Sequence, residues 1–246
     1  MADDQRIMLL TGASRGIGHA TVKTFQEHGW RILTVSRQAF SAQCPWISGR
    51  DSHIQSDLGD LGQIDSLVAQ VRERLPHGEL HALVNNAGIS PKGPDGKRLG
   101  VLDADAQTWT QVLNVNLVST ALIARALMPE MERGKASIVN VTSIAGSRVH
   151  PFAGVAYAAS KAALAALTRE MAHEFGRFGV RANAIAPGEI RTSILSPGTD
   201  ELVANEVPLG RLGDPREVAS TIHFLCSEAS SYINGAEIHI NGGQHV

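Results

Sequence analysis

The amino-acid sequence predicts an α/β fold: one doubly wound parallel sheet with helices on both faces. Two observations predict it. Short, nearly continuous apolar runs recur, as strands buried on both faces require, and helix-length stretches alternate with them over almost the whole chain. The expected strands, in order, are Ile7–Leu10, Arg31–Val35, His53–Gln55, Ala82–Val84, Ser137–Val141, Arg181–Ile185 and Glu237–Ile240. The expected helices are Ile17–Glu27, Gly62–Arg74, Ala106–Met131, Tyr157–Phe175 and Pro215–Cys226. The last has the clearest start. Asp214 is an N-cap residue, Pro215 fits the first turn, and Glu217 sits where a capping box needs an acid. No linker or change of composition divides the 246 residues, so residues 1–246 are expected to form a single domain.

Composition narrows the function classes. Apolar residues make up 43 %, enough for a core without disulfides or metals, and the net charge of −2 gives no reason to expect nucleic acid or an anionic membrane. Cys44 and Cys226 are far apart and read as free thiols of a reducing compartment. The polar first six residues lack a signal-peptide layout, and no apolar stretch approaches the ~20 residues of a membrane span. The expectation is a cytoplasmic protein.

The first strand runs into Thr11-Gly12-Ala13-Ser14-Arg15-Gly16-Ile17-Gly18, after which a helix begins. Glycines there permit a tight turn and let backbone N–H groups approach a pyrophosphate, with the helix N-terminus adding a favourable dipole. At the first strand–helix junction this spacing predicts a dinucleotide site of the Rossmann kind. An acid about 20 residues beyond the glycines would bind the ribose 2′-OH of NAD. No Asp or Glu occurs between Glu27 and Asp51; the second strand instead leads to Arg37, and Arg15 lies inside the glycine turn. Two guanidinium groups suit a 2′-phosphate, so the expected cofactor is NADP(H).

Tyr157 and Lys161 are four residues apart, on one face of an expected helix. A free tyrosine has a pKa of ~10. A neighbouring ammonium is expected to lower it, making a group able to give a proton to a nascent alkoxide or remove one from an alcohol.

These pieces identify a resemblance. The chain is similar from end to end to the short-chain dehydrogenase/reductase family. The matching segments are Thr11–Gly18, Asn85-Asn86-Ala87-Gly88, Asn114-Val115-Asn116-Leu117, Val141-Thr142-Ser143, Tyr157 with Lys161, and Asn183 through Pro187-Gly188-Glu189-Ile190-Arg191-Thr192. Pro208-Leu209-Gly210-Arg211 and Asn241-Gly242-Gly243 extend the match to the tail. The resemblance implies Tyr157 as the acid/base, Lys161 as its partner and a ligand of the nicotinamide ribose, and Ser143 as holder of the substrate oxygen. It implies that Asn116 anchors a water leading to Lys161. It further implies that Gly12, Ser14, Arg15, Gly16, Ile17, Gly18, Arg37, Asp57, Leu58, Asn86, Ala87, Gly88, Pro187, Gly188, Ile190 and Thr192 contact the cofactor. Ser143 lies 14 residues before Tyr157, one more than the family pattern. That reads as an insertion within the loop Gly146–Val155, with Thr142 and Ser147 as alternatives to Ser143.

The expected reaction is hydride transfer between NADP(H) and a carbonyl or secondary alcohol. A 3-oxoacyl-acyl-carrier-protein reductase, a sugar or polyol dehydrogenase and a non-catalytic NADP-binding regulator stand as alternatives. Loops Ser90–Gly100 and Glu189–Gly213 follow strands and are expected to border the site. His150 is a candidate substrate contact or a solvent-facing loop residue. His77 and His81 are separated by helix-breaking residues, so no metal site is expected. Ala158, Ala159, Ala162, Ala163, Ala165 and Ala166 suit close helix packing, and the resemblance implies a homotetramer paired partly through that helix.

Overall fold

The computed structural model describes residues 5–40, 49–192 and 196–246; Cys44 lies outside them. Seven strands form one parallel sheet: β1 (Ile7–Thr11), β2 (Arg31–Ser36), β3 (His53–Gln55), β4 (Ala82–Asn85), β5 (Ser137–Val141), β6 (Arg181–Pro187) and β7 (Glu237–Ile240). Their spatial order is β3-β2-β1-β4-β5-β6-β7. The chain therefore winds outward in one direction from β1, then returns and winds in the other from β4.

Successive side chains of a strand face opposite sides, and both sides of this sheet are covered. Ile7 and Leu9 of β1 enter one core with Leu33, Leu83 and Ile138. Met8 and Leu10 enter the other with Ile32, Val84 and Val139. On the first side lie α2 (Ile64–Arg72), α4 (Ser119–Ala126), α5 (Met128–Arg133) and α6 (Val155–Phe175), contributing Leu67, Ile123, Met131 and Met171. On the second lie α1 (Gly16–Glu27) and α8 (Pro215–Leu225), contributing Val22, Phe25, Val218 and Ile222. The capping box at Asp214 is present, with Arg216 N donating to Asp214 Oδ1 at 2.8 Å and Asp214 N donating to Glu217 Oε2 at 2.7 Å.

Three differences from the sequence expectation have physical causes. The helix expected over Ala106–Met131 is divided. It begins as α3 (Ala106–Leu113), passes through a π-helical turn (Asn114–Val118), continues as α4, and restarts as α5, where Pro129 cannot donate to the preceding turn. The helix expected from Gly62 starts as a 3₁₀ turn, Leu61–Gln63, capped by Asp60. A further helix, α7 (Thr199–Glu206), forms within the region expected to be a loop.

Candidate active site

At the carboxyl edge of the sheet, where β1 and β4 lead away in opposite windings, lies a cleft of about 480 Å³. Gly12, Ser14, Arg15, Gly16 and Ile17 line it from the first turn, Arg37 from β2, Asp57 and Leu58 from β3, Asn86, Ala87 and Gly88 from β4, and Thr192 from the segment after β6. The glycine turn is bolted to β4. Asn86 Nδ2 donates to Gly12 O at 2.7 Å and to Thr11 O at 3.2 Å, while Thr11 Oγ1 accepts from the backbone N–H of Asn86 and of Ala87, each at 3.1 Å. Gly12 (φ +73°) takes a backbone conformation that L side chains rarely adopt, and a Cβ on Gly18 would stand 2.1 Å from Gly12 O. The cradle is thus open to a pyrophosphate-sized group because these positions carry no side chain. Neither the Arg15 nor the Arg37 side chain has a hydrogen-bond or ion-pair partner among the described residues, and both reach the cleft. Val35, Ser36, Gln38, Ser56, Ile89 and Val115 complete the lining; apart from standing beside recognised positions, they carry no sequence signal.

Ser143, Tyr157, Gly188 and Glu189 line an adjoining cavity of about 570 Å³, which also includes Arg15, Arg37 and Gly88. Tyr157 and Lys161 sit in the first two turns of α6, with Lys161 Nζ 5.5 Å from the Tyr157 ring centre. Lys161 is buried and donates to Val141 O at 2.6 Å. Burial lowers its pKa from 10.5 to about 8. Burial likewise pushes the Tyr157 phenol above its ordinary value, a hydrogen bond with Ser143 opposes this, and the Glu189 charge adds to it. The sequence expectation that Lys161 lowers the phenol is not met: burial, Ser143 and Glu189 account for its shift, and the Lys161 ammonium is engaged by a main-chain carbonyl.

The extra residue before Tyr157 does not displace Ser143, which caps a 3₁₀ turn by accepting from Ala145 N at 3.1 Å. Thr142 is committed elsewhere: its Oγ1 lies 2.7 Å from Ile185 O and 2.6 Å from Glu237 Oε1, two acceptors for its single hydroxyl hydrogen. Ser147 donates to Ile144 O at 3.1 Å and lies outside the cavity lining. Asn116 occupies the π-helical turn. Its Oδ1 accepts from Ile89 N at 2.9 Å, and its Nδ2 donates to Ile89 O at 3.1 Å and Ser160 Oγ at 3.0 Å. A Cβ on Gly88 would lie 3.4 Å from Lys161 Nζ and 3.6 Å from Asn116 Oδ1, so both polar groups converge on that glycine.

Residues 12–245 match the family model described as enoyl-(acyl-carrier-protein) reductase. The chain is 57 % identical over 244 residues to Protein FixR of Bradyrhizobium diazoefficiens, covering 99 % of this chain and 88 % of that one. A solved oxidoreductase of the short-chain dehydrogenase/reductase family from Brucella ovis, in complex with a partially ordered NAD, is 54 % identical with a TM-score of 0.86, covering 97 % of this chain and 100 % of that one. This chain belongs to the short-chain dehydrogenase/reductase family. A 3-oxoacyl-[acyl-carrier-protein] reductase of Vibrio harveyi is a more distant relative, 33 % identical over 248 residues and 98 % of each chain. The protein is accordingly an oxidoreductase that moves a hydride between a nicotinamide cofactor and a carbonyl or alcohol.

In this short-chain dehydrogenase/reductase, Pro187 ends β6 opposite Ile240, and Gly188 N donates to Ile240 O at 3.1 Å. Ile190 is buried in the core beside α8 and lines neither the cleft nor the adjoining cavity. The mouth is walled by two stapled loops. A short hairpin bridges Lys92 to Arg98. From it, Lys92 Nζ donates to Phe152 O, Arg98 Nη1 donates to His150 O at 3.0 Å, and Leu99 O accepts from Val155 N at 2.9 Å. Arg148 ties the same wall to the end of the chain, donating to Gln244 O at 2.6 Å while pairing with Glu206 at 2.8 Å. His150, left open as loop or substrate residue in the sequence, is buried and paired with Glu189. Glu189 had no chemical signal beyond its place in a family motif. Among the described residues, no cluster of three or more His, Cys, Asp or Glu could hold a metal, and no helix is long and apolar enough to cross a membrane.

Proposed function

We propose that the protein is an NADP(H)-dependent carbonyl reductase with Asn116, Ser143, Tyr157 and Lys161 as its catalytic set. The carrying observation is the meeting of Tyr157 and Ser143 beside a cleft that presents two guanidinium groups without a partner among the described residues. The residues fit the cofactor: the glycine cradle would be blocked by a Cβ at Gly18, and Arg15 and Arg37 offer forked donors to a 2′-phosphate. When bound, the nicotinamide supplies the hydride. Ser143 holds the carbonyl oxygen. The raised pKa of Tyr157 keeps its hydroxyl protonated at neutral pH, suited to protonating the nascent alkoxide. Lys161 supports the tyrosine and the ribose, and Asn116 fixes the Ile89 segment beside it.

The small, outward Ala159, Ala162 and Ala166 of α6 and the edge strand β7 support a homotetramer. A 3-oxoacyl-acyl-carrier-protein reductase is the second reading, favoured by the printed names of relatives such as that of Vibrio harveyi. NADPH oxidation against oxoacyl thioesters, sugars and cyclic ketones tests both. A clear preference for NADH refutes the cofactor assignment. Cofactor binding with no turnover of any carbonyl refutes the enzyme in favour of an NADP-binding regulator.

A further inference from the structure

The substrate cavity contains an acid that the hydride-transfer chemistry does not use. Glu189 follows β6 directly and lines the cavity together with Ser143, Tyr157, His150 and Phe152. Its Oε1 lies 2.6 Å from His150 Nε2, and the two side chains are only 11 % and 10 % exposed. The other ring nitrogen, His150 Nδ1, accepts from Phe152 N at 3.3 Å. A backbone N–H can only donate, so Nδ1 carries a lone pair and Nε2 carries the proton given to Glu189. Glu189 Oε2 has no hydrogen-bond partner among the described residues and is not sealed off as a buried orphan atom. The charge is felt at Tyr157. A carboxylate taken this far out of water, with one oxygen committed and one unused, is costly unless a ligand completes it.

We propose that Glu189, positioned by His150, selects substrates carrying a hydroxyl or ammonium hydrogen-bond donor close to the reacting carbonyl. The donor binds Glu189 Oε2 while Ser143 and Tyr157 hold the carbonyl oxygen. His150 acts through Glu189 as a positioning residue: it fixes one carboxylate oxygen so that the other stays turned to the cavity. A site built to receive a donor rejects the analogue lacking it, because the buried acceptor is then left unpaired. Against the Glu189 carboxylate itself, an ammonium is the stronger donor of the two. Lys92 and Arg98 donate to the carbonyls of Phe152 and His150 rather than to Glu189.

This inference rests on the proposed catalytic site and is tested with three matched ketones: one bearing an adjacent hydroxyl, one an adjacent amine, and one neither. kcat/KM is measured with NADPH for the wild type, Glu189→Gln, His150→Ala and His150→Gln, with melting temperature and cofactor binding recorded for each. The wild type is expected to favour the donor-bearing ketones about tenfold or more. Glu189→Gln should collapse the amine preference and weaken the hydroxyl preference less, since the amide oxygen still accepts. His150→Ala should reduce both preferences, and His150→Gln, whose amide N–H can replace Nε2–H, should restore part of them. A wild type indifferent to the donor, or an amine preference that survives Glu189→Gln, overturns the inference while leaving the reductase reading intact. A wild type that binds NADPH but reduces none of the three ketones or the broader panel removes the reductase reading, and this inference with it.

Discussion

Adding one methyl group at Gly18 should damage stability and cofactor use together. Gly18 is buried at the start of α1, and a Cβ there would stand 2.1 Å from Gly12 O, against the 3.4 Å at which ordinary contact begins. Backbone must therefore shift by about 1.3 Å. The same Cβ would also press on Asn86 Nδ2 at 2.8 Å, the atom that holds Gly12 O at 2.7 Å. Overpacking of this kind costs roughly 1–3 kcal/mol, and losing the amide hydrogen bond adds about 1 kcal/mol. For a chain of this size a loss of roughly 2–4 kcal/mol lowers the melting temperature by about 5–15 °C. The displaced turn is the one whose N–H groups face the pyrophosphate. A misplacement of about 1 Å can cost on the order of a hundredfold, which is the expected fall in kcat/KM for the cofactor. Differential scanning fluorimetry and cofactor titration by fluorescence measure the two effects on Gly18→Ala. Melting within about 2 °C of the wild type together with unchanged cofactor affinity would falsify the steric account of this turn.

Four other outcomes are expected. Arg15→Ala and Arg37→Ala should each raise KM for NADPH about tenfold with little effect on NADH, since neither side chain has a partner to lose among the described residues; equal losses for both cofactors would show that the guanidinium groups do not read the 2′-phosphate. Tyr157→Phe should keep the fold and cofactor binding while kcat falls by about 10²–10⁴, and near-normal turnover would remove Tyr157 from the proton path. Glu189→Gln takes a negative charge from beside the phenol, so the alkaline rise in alcohol oxidation, which needs tyrosinate, should move to lower pH; a limb that stays put or moves up contradicts that coupling. Lys161 titrates near 8 in the folded chain against 10.5 ordinarily, so the unfolded state holds more protons between those values and folded stability rises with pH there. Lys161→Met should lack this rise in melting curves recorded across pH 8–10, and parallel curves would count against it.

The strands were readable because a sheet covered on both faces demands unbroken apolar runs, and Met8–Leu10 or Ile138–Val139 can hardly be anything else. Strand ends were less legible. Thr11, Ser36 and Asn85 are polar because they reach the functional edge, and that polarity masked their place in the sheet. The placement of candidate residues was readable where backbone geometry or helical spacing constrains residue type, as at Gly12 and Gly18 or at Tyr157 and Lys161. It was not readable where function depends on burial or on pairing across the fold. Residue spacing placed Lys161 beside Tyr157 but could not say that burial would dominate the phenol. His150 and Glu189 are 39 residues apart, and only the fold brings them together. The π-helical turn at Asn116 has no signature in an otherwise regular helical stretch.

The tie from Arg148 to Gln244 O and Glu206 has a practical consequence. Through it the last residues of the chain share a load with the wall of the substrate mouth, although Val246 itself is almost fully exposed. A substitution that breaks the tie, such as Arg148→Ala, would therefore loosen both the wall and the segment around Gln244, 96 residues further along the chain.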